Sequence, residues 1–124
     1  MRLFYIRHPQ EEKHANPPGQ NSHQPYHDEH LYVDLRRQTV ILDGETVSLT
    51  SMQYRLLAVL VEHAGAIVTR PILLLHIWGS APELRRSKLD GHIRRLRSKL
   101  GVYGEHYIET VVGVGYRFRS TPRT

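Results

Sequence analysis

From Leu31 onward, apolar and polar residues alternate. Leu31, Val33 and Leu35 fall on one side and Tyr32, Asp34 and Arg36 on the other, the period of a half-buried strand. A second strand over about residues 39–42 runs into Asp43-Gly44, the dipeptide favoured in a tight hairpin turn. A third short strand at about residues 46–49 completes a small antiparallel sheet. The period then lengthens. Thr50 with Gln53 three residues later forms a capping box, and Met52, Leu56, Leu57, Leu60 and Ala64 mark one face of a helix that Gly65 is placed to stop. Ile67-Val68 reads as a short extended link. Thr69 is a second N-cap, with Pro71 tolerated in the first turn, and Ile72, Leu73 and Ile77 form that helix's buried side.

A third helix is expected over about residues 84–100, where Leu89, Ile93, Leu96 and Leu100 recur at intervals of 4, 3 and 4. Two short strand patterns, residues 107–112 and 114–119, surround Gly113 and Gly115 and form a terminal hairpin. The expected fold is α+β: a winged helix-turn-helix with an N-terminal antiparallel sheet, three α-helices and a C-terminal β-hairpin wing. The pattern divides the chain into a tail or linker (residues 1–30), one domain (31–120) and a short C-terminal tail (121–124). Residues 11–30 contain three Pro, one Gly and many Gln, Asn and His, a composition too polar to offset the entropy of ordering.

Composition narrows the functional classes. A chain of 124 residues, 40% of them hydrophobic, supports one modest core, which disfavours a deep catalytic pocket. With no cysteine, disulfides, thiolate metal sites and cysteine nucleophiles are excluded. There is no long apolar run and no signal peptide, so a cytoplasmic, nucleoid-associated protein without membrane contact is expected. His23, His27 and His30 have a spacing that a helix could turn to one side, but with no carboxylate cluster of fixed geometry a metal site is not assigned. No cofactor is expected.

Charge changes the picture most. Residues 1–30 carry three basic and four acidic groups, the remainder fourteen basic and eight acidic, within a net charge of +5. Seven of those fourteen basic residues lie between Arg85 and Lys99, five of them Arg. This is the footprint of a polyanion binder, and Arg suits both phosphate forks and guanine edges. On a helical wheel Ser87, Gly91, Arg94, Arg95 and Ser98 lie opposite the apolar stripe, flanked by Lys88, His92, Lys99 and Arg97. Small residues on the outermost line allow close approach to base edges, and the cations flanking them reach the phosphates. A major groove about 12 Å wide admits one such helix. No nucleophile–base pair, paired carboxylates or phosphate-binding loop is present, so an enzyme is not expected. RNA is disfavoured because its major groove excludes a helix.

The runs VSLTSMQYRLLAVLVEHAGAIVTRPILLLHIWG, KLDGHIRRLRSKLG and YIETVVGVGYRFR resemble the DNA-binding effector domain of OmpR/PhoB-type response regulators, over roughly three quarters of the chain. The resemblance implies a four-stranded N-terminal sheet, three helices and a wing, with two copies binding head to tail on direct DNA repeats. It implies base reading by Arg95, with Lys88 and Asp90 beside it. Phosphate contacts are implied for His92, Arg94 and Arg97, with Lys99 as a further flanking cation. Trp78 and Tyr116 match further backbone contacts, though each reads equally as packing. The loop carrying Gly79, Ser80, Glu83 and Arg85 takes the place where the family meets RNA polymerase, through its sigma or alpha subunit. At the wing, Val112 stands where many members have a minor-groove Arg, leaving Arg117 or Arg119 as substitutes. A receiver domain of a two-component system needs over a hundred residues, and thirty precede this fold. The alternative function is a winged helix used as a protein-interaction module.

Overall fold

The computed structural model describes residues 24–79 and 86–120. Strands β1 (Tyr26–His27), β2 (Leu31–Asp34), β3 (Thr39–Leu42) and β4 (Glu45–Thr46) form one antiparallel sheet in the order β1-β2-β3-β4. The Asp43-Gly44 turn joins β3 to β4 with φ of 48° and 85°, and the Leu42–Glu45 pair closes it. Two successive positive φ values define the primed turn whose twist suits a hairpin, which is why Gly follows Asp here. The alternation of β2 is realised, with Leu31 and Val33 buried and Tyr32 and Asp34 half-buried.

The tail expected over residues 1–30 gives way earlier than Leu31. Tyr26 pairs with Val33, and its ring is buried against the edge of Phe118 at 5.0 Å. The cause is Asp28, whose carboxylate accepts from the backbone N–H of His30 (2.8 Å) and Leu31 (2.9 Å) and from the hydroxyls of Tyr26 and Tyr107. Burial pushes the Asp28 carboxyl up, but these hydrogen bonds outweigh it and hold the group below its ordinary value. Residues 1–23, including His23, lie outside the described residues.

Helix α1 (Ser51–Glu62) starts with the expected capping box: Thr50 Oγ1 accepts from Gln53 N at 3.1 Å, and Gln53 Oε1 from Thr50 N at 2.9 Å. It ends at Glu62 with His63 as its cap, before the Gly65 expected to stop it. The Ile67-Val68 link is instead strand β5 (Ile67–Thr69). Helix α2 (Arg70–Trp78) follows from the Thr69 cap and ends on Gly79. Its buried side is Leu73, Leu74 and Ile77, while Ile72, expected inside, is 41% exposed.

Helix α3 (Arg86–Lys99) is followed by a 3₁₀ turn (Gly101–Tyr103) and a short fourth helix, α4 (Gly104–Tyr107), which takes in Tyr107, the expected first residue of the wing's first strand. Strands β6 (Ile108–Val111) and β7 (Gly115–Phe118) form the wing hairpin, and β5 pairs with β7 on its other side, giving a second sheet ordered β5-β7-β6. Gly115 is required there, since a Cβ would stand 2.1 Å from the Val68 carbonyl oxygen. The core fills the space between the sheets and helices, with Leu56, Leu60, Leu73, Leu96, Tyr107 and Phe118 all fully enclosed.

Candidate nucleic-acid interface

Helix α3 has two chemically opposite faces. Leu89, Ile93, Leu96 and Leu100 each have no solvent exposure, and burial of each such side chain stabilises by about 1.5–3 kcal/mol. That stripe fixes the helix's rotation and turns the opposite line of residues outward. Lys88, Arg94, Arg95 and Ser98 are exposed, while Gly91 and His92 are half-buried. Arg97 and Lys99 lie in the last turn, where cations complement the helix dipole.

Several of the expected site residues already have partners within the domain. Asp90 accepts from Arg70 Nε at 3.2 Å and from the Tyr116 hydroxyl, so the base-reading candidate is held by α2 and β7. Tyr116 is 3% exposed, and burial together with Asp90 raises its pKa. Arg97 donates from Nε to Ile108 O (2.8 Å) and from Nη2 to Thr110 Oγ1 (2.6 Å), fastening α3 to the wing. The guanidinium carbons of Arg97 and Arg70 lie 5.6 and 5.0 Å from the Tyr116 ring centroid. Lys99 Nζ donates to Ser48 O at 2.9 Å. In the wing, Arg117 donates from Nε to Glu109 Oε1 at 2.9 Å, across a registered strand pair.

The side chains of Lys88 and Arg94 carry no ion pair or hydrogen bond among the described residues, and the one side-chain hydrogen bond of Arg95 among them is to His92, with Nη2 3.3 Å from Nδ1. Trp78 is half-buried on the core with its ring centroid 6.0 Å from that of His92. Val112 stands 88% exposed at the wing tip. Gly79 caps α2 in a left-handed conformation. Ser80, Glu83 and Arg85, the rest of the expected polymerase loop, lie outside the described residues.

Arg70 was not singled out from the sequence, yet it organises the site. A signal existed: α2 has no acid in its first turn, where a cation opposes the helix dipole. An Arg at that position needs an acceptor elsewhere, and Asp90 is the lone acid of the following cationic helix.

A buried stripe, an exposed cationic face and a wing beside it are the parts of a DNA-reading winged helix. The model of the family described as "Transcriptional regulatory protein, C terminal" matches residues 44–118. The chain belongs to this family. It is a winged-helix DNA-binding domain of OmpR/PhoB type. Among its relatives is the phosphate regulon transcriptional regulatory protein PhoB of Pseudomonas aeruginosa, 38% identical over 88 residues, covering 71% of this chain and 38% of that protein. The chain spans 38–41% of the length of the curated relatives it matches. The RstA DNA-binding domain of Klebsiella pneumoniae, solved in complex with the RstA box, superposes with a TM-score of 0.70 at 32% identity, covering 78% of this chain and 98% of that one. The DNA-binding domain of CpxR from E. coli gives 0.69 at 30% identity, covering 80% and 99%. Among the described residues no helix is long and apolar enough to cross a membrane.

Proposed function

We propose that this OmpR/PhoB-type domain regulates transcription by binding double-stranded DNA sequence-specifically, with α3 in the major groove. The observation that supports the reading most is the exposed row Lys88, Arg94 and Arg95, on a helix whose opposite face is wholly buried. Arg95 reads a base edge, with Lys88 beside it, while Arg94 and His92 contact phosphates. Asp90, Arg97, Lys99 and Tyr116 take a different part: their polar atoms hold α3 in its place. Arg117, paired with Glu109, holds the wing's two strands together. The wing approaches the backbone with Val112 at its tip. Two copies bind head to tail on direct repeats, about one helical turn of DNA apart. The loop after Gly79 meets RNA polymerase through its sigma or alpha subunit.

Selection of bound duplexes from a random library tests this reading. A motif recovered twice in one orientation supports it, and an inverted pair contradicts the head-to-tail arrangement. Arg95→Ala is expected to cost about 1–3 kcal/mol and to blur preference at one base pair. Arg94→Ala should instead weaken all duplexes alike and flatten the salt dependence. No duplex binding at low salt leaves the alternative, a protein-interaction module.

A further inference from the structure

Arg95 does not project freely from α3. Its Nη2 lies 3.3 Å from His92 Nδ1. A guanidinium only donates, so Nδ1 is the acceptor, and the neutral imidazole keeps its one proton on Nε2. The guanidinium also lies along the helix over Gly91: a Cβ built there would stand 3.6 and 3.7 Å from its two terminal nitrogens. Gly91 and His92 thus form a seat for Arg95, the one supplying open backbone and the other an acceptor. The Trp78 ring is a neighbour of the imidazole, at a centroid separation of 6.0 Å.

The two ring nitrogens of His92 face different directions and carry different chemistry. One is spent on Arg95, and the other is a donor suited to a phosphate oxygen. An Arg has five N–H donors, so one given to His92 leaves enough for the two acceptors of a guanine edge. We propose that His92 links backbone anchoring to base reading: its Nε2–H donates to a DNA phosphate while its Nδ1 holds the Arg95 guanidinium in the orientation that reads the base. His92 is then a positioning residue for Arg95 as well as a phosphate contact. This rests on the DNA-binding reading above. Burial, with Arg95 and Lys88 nearby, lowers the imidazole pKa, which favours the neutral ring that the link needs.

The test uses the duplex selected by the wild-type chain and a variant changed at the base pair to which Arg95→Ala becomes indifferent. The readout is the ratio of the two affinities, measured by fluorescence anisotropy. His92→Lys supplies a phosphate-binding cation with no acceptor and should lower the ratio roughly three- to tenfold, the cost of an unheld rotamer-rich side chain. His92→Gln, which keeps a donor and an acceptor, should restore much of it. In an Arg95→Ala background His92→Lys should leave the ratio where Arg95→Ala alone puts it. A ratio that survives His92→Lys, or that falls by the same factor without Arg95, overturns the proposal. Absence of any duplex binding by the wild-type chain instead defeats the reading beneath it. Nitrogen-15 spectra of the wild-type imidazole decide independently of whether the variants fold. The Nε2–H tautomer, with Nε2 perturbed by DNA, is expected, and the Nδ1–H tautomer overturns the link.

Discussion

Arg70 at the first turn of α2 and Asp90 midway along α3 meet at 3.2 Å, and the Tyr116 hydroxyl of β7 donates to the same Asp90 oxygen. Three elements of the motif therefore converge on one carboxylate. It is the lone acid of a helix that carries six Arg and Lys residues, so without it the helix would repel Arg70.

Asp90→Ala should destabilise the fold by about 1–3 kcal/mol, because it leaves two donors without their acceptor. The partial exposure of Asp90 places the loss toward the lower end. Urea denaturation measures it. On DNA the same substitution should weaken all duplexes alike, since Asp90 acts through the setting of α3. A change of preference confined to one base pair would return Asp90 to base reading.

Gly91→Ala should stabilise the domain by about 0.5–1 kcal/mol in the same assay, the propensity difference in a helix interior. The added methyl meets only the Arg95 guanidinium, at ordinary contact distance. A loss of stability would show that the space over Gly91 is not open.

Gly115→Ala has the opposite sign. The new Cβ would fall 2.1 Å from a backbone oxygen and 2.8 Å from the Thr69 Cα, neither of which can turn aside. Strands β5 and β7 must part, at a cost of about 3 kcal/mol, the upper end for overpacking. Thermal unfolding should show a lowered midpoint, and an unchanged one would contradict the β5–β7 register.

His30 makes stability depend on pH. Its Nδ1 lies 2.8 Å from Asp43 Oδ1, Glu29 is 4.0 Å from Nε2, and the ring stacks on Tyr103 at 4.4 Å. The hydrogen bond to Asp43, aided by Asp43, Glu29 and Asp28 charges, raises the imidazole pKa above its ordinary value. The folded state thus holds the proton more tightly. The stabilisation is complete below the ordinary pKa and is lost as pH rises through the raised one. The midpoint of wild type minus that of His30→Gln should fall as pH rises above the ordinary imidazole value of about 6.5. A flat difference would dissociate His30 from Asp43.

Local chemistry made much of the fold legible. The Thr50–Gln53 box, the Thr69 cap, the Asp43-Gly44 turn and the stripe from Leu89 to Leu100 each carry their reason within a few residues. What was missed depends on distant partners. Strand β1 lies in a polar stretch and exists because Asp28 gathers donors from β2 and α4. Strand β5 looked like a link because its partner, β7, follows almost fifty residues later. The cationic cluster on α3 was visible, but its division was not. Charge alone does not distinguish Arg97, bound to Ile108 and Thr110, from Arg94, which is exposed.

On the proposed reading, α3 enters DNA by the face opposite its leucines. Amide chemical-shift mapping of the labelled chain, titrated with its selected duplex, tests this most directly. The largest changes are expected on Lys88, Gly91, His92, Arg94, Arg95 and Ser98 and on the wing tip around Val112. Changes confined to the β1–β4 sheet, with α3 unmoved at saturating duplex, would contradict it.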